Sequence, residues 1–312
     1  GPSLRRRRPA RQIDLGGLMR IREREAVLTR PPRSLWQESV RRLRKNRLAI
    51  AGATIVALFI ALAITAPIVT PYDPTKQNYD SILSGPARAH LLGTDGLGRD
   101  SLSRLVFGAR TSLTVGLFTQ FIVISIGIPV GLIAAFAGGK IDNLLMRFVD
   151  IVFAFPDLLL IILLRAIFGG SIYMVFLAIG LVNWVVMARL VRGQVLSVKE
   201  QEFVLAAKAI GVPTSGLLFR HLLPNVLGPV VVLVTFSVPR AIFAEAALSY
   251  IGIGVAPPTP SWGTMIQDGY GVIFASPFPV LFPAIAIGLV MLAFTFLGDG
   301  LRDALDPRQT RG

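Results

Sequence analysis

Six stretches of the chain are apolar for roughly 20 residues, the length a helix needs to cross a bilayer core. They cover 48–69, 111–137, 144–166, 171–190, 226–250 and 280–298. The first ends among Pro67, Pro71 and Pro74, and the second and sixth carry no charge. Asp150, Pro156 and Asp157 interrupt the third, and Pro239, Arg240 and Glu245 interrupt the fifth. This pattern predicts an all-α integral membrane protein with six spans. External loops are expected over 70–110 and 251–279, a polar cytoplasmic segment over 191–225 and a cytoplasmic tail over 299–312. Ahead of the first span, 35–47 reads as a basic amphipathic helix on the inner leaflet, with Trp36, Val40 and Leu43 at helical spacing. Residues 1–34, rich in Arg and Pro without an apolar period, read as a disordered basic tail.

Composition agrees with the pattern. Of 312 residues, 53% are hydrophobic and 16% charged, against about 25% charged in soluble domains. The net charge of +14 does not point to nucleic acid, because 15 of the 32 Lys and Arg precede Leu48. Basic residues ahead of a first span set topology and meet anionic lipid headgroups. With the N-terminus in the cytoplasm, Lys140, Arg147, Arg189, Arg192, Lys199, Lys208, Arg220 and Arg302 all fall inside, whereas 251–279 holds no Lys or Arg. Both termini are therefore expected in the cytoplasm of a multi-pass protein of the cell membrane. The chain has no cysteine and only His90 and His221, which excludes disulfides, thiol catalysis and Cys-ligated metal.

Two glycine patterns are decoys. Gly93-Thr-Asp-Gly96-Leu-Gly98 lacks the Lys and Ser/Thr of a phosphate-binding loop, and Gly138-Gly139-Lys140 is followed by Ile141. No catalytic or nucleotide-binding motif is present, so no cofactor or metal is expected in this chain and any ATP is hydrolysed elsewhere.

Ionisable groups within spans usually face protein or water. Arg240 lies about 22 Å from the cytoplasmic end of its span at 1.5 Å per residue. Asp157, Arg240 and Glu245 are candidates to line the outer half of a pathway, where a zwitterionic peptide would meet both charges. The alternatives are a buried ion pair between the third and fifth spans, or Arg240 snorkelling outward.

The segment between the fourth and fifth spans is too polar to cross the membrane and too patterned for a loose loop. Glu202, Ala206, Ala207 and Ile210 share helical spacing, Gly211 sits where a helix C′ residue belongs, and Thr214 or Ser215 is expected to cap a second short helix through Phe219. Two alanines on one face leave room for another protein surface. Ala206-Ala207, Gly211 and Leu223-Pro224 at these intervals resemble the coupling loop of binding-protein-dependent ABC importer permeases, the EAA loop. One departure is that the family's Glu is Leu205 here, with Glu202 and Glu200 nearby to supply the charge. Leu92-Gly-Thr-Asp-Gly-Leu-Gly-Arg-Asp-Ser-Leu-Ser-Arg104 is similar to the segment before the second span of peptide and nickel permeases. Glu245-Ala-Ala-Leu-Ser-Tyr-Ile-Gly-Ile-Gly254 with Pro257-Pro-Thr-Pro-Ser-Trp-Gly263 is similar to their external loop, and Arg220-His-Leu-Leu-Pro-Asn225 is also typical of them.

The resemblance covers nearly everything from Leu35 onward and implies the second, C-type permease of a dipeptide, oligopeptide or nickel importer with the type I fold. It implies a similar permease as partner and two ATPase subunits carrying ATP and Mg. It also implies a substrate-binding protein outside the cytoplasm. Glu202, Leu205, Ala206, Ala207, Gly211, Leu223 and Pro224 are then the candidates for ATPase coupling. Asp95, Arg99, Pro257, Pro258 and Trp262 are those for contact with the binding protein. A secondary transporter or channel is the rival reading; it leaves the coupling segment unexplained. A scaffold driven by the basic tail is a third.

Overall fold

The computed structural model describes residues 35–169 and 171–305, so the tail expected over 1–34 and residues 306–312 lie outside the described residues. The named elements among the described residues are all helical, with no strand among them. Five helices are long and apolar enough to cross a membrane, or six spans where a bent pair of shorter helices counts as one.

Helix α1 (Leu35–Leu43) stops short of the expected Arg47. Asn46 accounts for this: its side chain accepts from the Ala49 N–H at 3.1 Å and starts α2 (Arg47–Val69), as an N-cap residue does by taking extended backbone. Helix α2 leaves at Thr70, which is extended ahead of Pro71.

The third helix, α3 (Ser101–Ala137), begins ten residues before the apolar run, so the last part of the expected 70–110 loop is helical. Hydropathy misses that start because the first turns carry Arg104 and Arg110; the signal is the Asp100 cap, whose carboxylate accepts from Ser103 N–H at 2.7 Å.

The third apolar run, 144–166, is not one rod. Helices α4 (Gly139–Ala154) and α5 (Asp157–Phe168) meet at 90°. Pro156 has no N–H to continue α4, and Phe155 before it is extended at φ −80°, ψ 139°. Asp157 then sits in the first turn of α5, where a carboxylate complements the helix dipole.

Helix α6 (Ile172–Val198) runs eight residues past its expected end at 190. After α7 (Glu202–Ala209), a turn at Thr214–Gly216 and a π-helical stretch at Leu217–Leu222 lead unbroken into α8 (Leu223–Tyr250). The separate second helix capped by Thr214 or Ser215 is therefore replaced by an extension of the fifth span. No side-chain cap bond forms there, and the Leu223 N–H donates to Leu218 O five residues back, next to Pro224, which has no N–H of its own. The expected 251–279 loop contains α9 (Trp262–Tyr270), and α10 (Phe278–Leu305) extends beyond the last apolar run at both ends.

Helices α3 and α6 make the most extensive contact. A Cβ on Gly127 would lie 2.6 Å from Met187 Cβ, and one on Gly131 would lie 2.6 Å from Ala188 O. The two small residues thus set how closely these helices approach, by contact packing rather than hydrophobic drive. A second core joins α2, α3, α8, α9 and α10 through Val56, Leu113, Ile242, Trp262, Val290 and Phe294.

Candidate functional site

Helix α7 stands on the ends of two long helices. Val204 and Ala207 are buried in a cluster with Val195, Val198, Leu217 and Leu222. The opposite face carries Glu202, Phe203, Leu205 and Ala206 to the surface. Only Ala206 of the alanine pair therefore faces outward; Ala207 serves the core, since positions one apart point 100° apart on a helix. The helix ends in a Schellman motif: Gly211 N–H donates to Lys208 O and Val212 N–H to Ala207 O, at 3.0 and 3.1 Å. Gly211 has φ +81°, a conformation that costs other residues about 1 kcal/mol or more. The turn leaves Ile210 81% exposed. Leu223 is half-buried, and Pro224 is exposed at the start of α8. Glu202, Leu205, Ala206, Ala207 and Gly211 thus lie on one short helix and the turn after it, whose outer side is apolar with one carboxylate, whereas Leu223 and Pro224 lie apart from it in sequence at the start of α8.

The pathway candidates do not gather. Glu245 is wholly buried, accepting from Ser112 Oγ at 2.9 Å and from Ser249 Oγ at 2.7 Å. The same Ser112 oxygen accepts from the Trp262 N–H at 3.3 Å. Glu245 therefore ties α8 to α3 and α9 and lines no pathway surface within this chain. Arg240 and Asp157 are exposed. Among the described residues, neither pairs with the other or with Glu245, so the bracing ion pair between the third and fifth runs does not form.

The outer-loop candidates divide the same way. Pro257 and Pro258 are exposed, whereas Asp95, Arg99 and Trp262 are buried. Asp95 accepts from the N–H groups of Leu97 and Arg99 and pairs with Arg99 Nε at 2.7 Å. Asp268 of α9 takes Nη2 of both Arg99 and Arg104, at 2.7 and 2.8 Å. Trp262 fills the space over Gly108 and donates its Nε1–H to Leu105 O at 3.1 Å. These residues build an ionic clamp that fastens the 92–104 loop to α9, so they are not free to meet a partner. Charge alone could not separate clamp from contact; the missing signal was Asp268, a lone acid in a loop without Lys or Arg.

Sequence reasoning also missed Arg165. It is buried in the last turn of α5 and donates Nε to Ile253 O at 3.1 Å and Nη2 to Gly254 O. An arginine within an apolar run is the signal that was there to read.

Residues 34–86 match the family described as the N-terminal TM domain of oligopeptide transport permease C. The chain is 44% identical to the oligopeptide transport system permease protein OppC of Bacillus subtilis (strain 168) over 275 residues, 88% of this chain and 90% of that one. It is 41% identical to the glutathione transport system permease protein GsiD of Shigella boydii serotype 4 (strain Sb227) over 293 residues, 91% of this chain and 97% of that one. Among solved structures, one described as inward facing conformations of the MetNI methionine ABC transporter superposes with a TM-score of 0.55 at 19% identity. It covers 65% of this chain and 96% of that one, a likeness of fold. With residues 127–311 matching the family described as the binding-protein-dependent transport system inner membrane component, the chain belongs to that family of multi-pass membrane permeases.

Proposed function

We propose that this permease imports di- or oligopeptides, forming half of a pathway with a second, similar permease above two ATPase subunits that bind ATP and Mg. The observation that carries the reading is the exposed surface of α7. Phe203, Leu205 and Ile210 are 41%, 51% and 81% exposed on an element whose other face is fully packed. Solvent-facing apolar clusters of this kind mark protein contacts. A short helix packed on the end of α6 and on the π-helical stretch that runs into α8 passes any push from an ATPase into two long helices. Glu202 supplies the charge that Leu205 lacks. The peptide substrate is supported by the OppC and GsiD relatives, whose names specify oligopeptide and glutathione transport.

In this reading both termini are cytoplasmic in the inner or plasma membrane, and exposed Pro257 and Pro258 face the binding protein. Arg240, exposed partway along α8, lines the pathway. Alternating access follows from ligand and nucleotide shifting the population of inward- and outward-facing states. The test is uptake of a labelled dipeptide, glutathione and nickel into proteoliposomes holding the assembled complex. ATP-dependent peptide accumulation that Ala206→Arg abolishes is the expected result. Nickel uptake without peptide uptake would reassign the substrate, and uptake by this chain without an ATPase would overturn the coupling reading.

A further inference from the structure

Three of the spanning helices leave a groove between them. Phe59 of α2, Leu105 and Ala109 of α3, and Phe282 and Ala286 of α10 line a cavity of about 340 Å³ that is half open to the surface. Two of its walls are held from behind by Trp262. The Phe59 ring meets the indole edge to face at 5.7 Å, and Leu105 O accepts from Trp262 Nε1–H at 3.1 Å. Ala109 and Ala286 are buried, and their methyl groups leave the space that larger side chains would fill. Among the lining side chains only Thr70 is polar, and its hydroxyl donates to Ala66 O at 2.8 Å. A polar ligand would therefore find nothing there to replace its lost water.

The surface around the groove is the part of the chain best suited to hydrocarbon. Val69, Ile285 and Leu289 are 55%, 48% and 43% exposed beside it. Helix α2 from Leu48 to Val69 and α10 from Phe278 to Gly298 hold no charged residue. Exposed Asp150, Asp157 and Arg240 stand instead on α4, α5 and α8, and such groups turn to protein or water rather than lipid. Arg110, at the edge of the apolar run of α3, does not line the groove. Residues 1–34 and 306–312 lie beyond the opposite ends of α2 and α10, and reaching the groove would take their charges across the bilayer.

We propose that this groove holds one acyl chain of a membrane phospholipid, in the leaflet on the side of the 70–100 loop. Between a lipid tail and a helix there is no hydrophobic drive, so contact decides. Lining atoms that face a void forfeit their dispersion partners, and a flexible hydrocarbon restores them. An apolar cavity of about 150 Å³ admits a benzene ring, so one of about 340 Å³ admits a longer run of methylenes. The tail then serves as packing between the first span and the α3–α10 pair. The partner permease belongs beside the exposed charges of the other helices, which leaves this charge-free side to lipid.

The test uses the complete transporter in phosphatidylcholine vesicles doped with the same lipid carrying a diazirine at the end of one acyl chain. After photolysis the labelled residues of this chain are mapped, with Ile64 of α2, 72% exposed, as the ordinary lipid contact. Labelling at Leu105 and Phe282 is expected to exceed that at Ile64, although both are more buried. Ala286→Phe fills the groove and is expected to lower that labelling about tenfold relative to Ile64, within the range of overpacking costs. If Ala286→Phe does not accumulate, Ala286→Leu adds less volume and is expected to lower it about threefold or more. Labelling at Leu105 and Phe282 that stays at or below that of Ile64, or that neither variant reduces, would overturn the site. A second arm places a maleimide-linked diazirine on Leu289→Cys, the one thiol in an otherwise cysteine-free chain. Capture of phospholipid is the expected result, and capture of the partner permease would overturn the proposal by giving the groove to that chain.

Discussion

Glu245 and Trp262 look on paper like residues for ligands and partners, and their surroundings argue otherwise. Both are fully buried, and both reach Ser112 Oγ. Replacing Glu245 by Ala would leave two hydroxyl donors facing an unfilled space. The expected loss is about 2–4 kcal/mol, from the cavity and the orphaned partners together. Glu245→Gln keeps an acceptor for one serine and is expected to lose less than half of that. Trp262→Ala should cost about 3–5 kcal/mol. Thermal unfolding of the detergent-purified chain checks all three. If Trp262→Ala left the Tm unchanged but weakened the binding-protein interaction, the residue would return to the docking surface. Arg240→Gln makes the opposite forecast, a stability change within about 0.5 kcal/mol, as for surface positions without such partners. Its transport rate is nonetheless expected to fall, and an unchanged rate at normal protein level would remove Arg240 from the pathway.

Among elements, the ones legible in the sequence are those whose helicity and lipid exposure coincide. Runs such as 48–69 and 280–298 state their own positions because a bilayer demands about 20 apolar residues. The polar extensions at Ser101–Arg110 and 191–198 are hidden for the same reason, since hydropathy reports the solvent and not the backbone, whereas at 214–225 a short helix is legible but its continuity with the fifth span is not. The bend at Pro156 was readable as a break but not as an angle, since the direction of α5 depends on Ile161 packing against Val175 and Ile179. The coupling segment was legible through Gly211, whose positive φ only glycine adopts freely. Gly211→Val should therefore cost about 1–2 kcal/mol in local strain, although nothing lies within 4 Å of its Cβ position. Gly211→Asn should be milder. Limited proteolysis near residues 209–213, with ATPase stimulation measured alongside, would read this out. At the clamp, Asp268→Asn removes the carboxylate that holds Arg99 and Arg104 to α9. Its expected cost is about 1–3 kcal/mol, less than for a wholly buried pair because Asp268 is partly exposed to screening solvent.

At the scale of the whole molecule, the proposed orientation ties coupling, delivery and pathway together. With the bent pair α4–α5 as one span, cytoplasmic exposure of α7 requires the 70–100 loop and α9 to lie on the opposite side, since α3, the bent pair and α6 make three crossings between that loop and α7, and α8 makes one between α7 and α9. The absence of cysteine makes this directly testable, because any thiol introduced is the only one in the chain. Asp80 and Ser215 are both exposed, and neither serves the clamp or the core. In intact cells, Asp80→Cys is expected to react with a membrane-impermeant maleimide that has passed any outer envelope, and Ser215→Cys only after the membrane is opened. The reverse labelling would invert the chain and put α7 where no cytoplasmic ATPase can reach it. Addition of the ATPase subunits to opened membranes should then slow labelling of a cysteine at Ala206 while leaving Asp80→Cys unchanged. That protection follows from the exposed side of α7 being the covered surface in the assembled transporter, and its absence would separate the fold of this family from the coupling role proposed for it here.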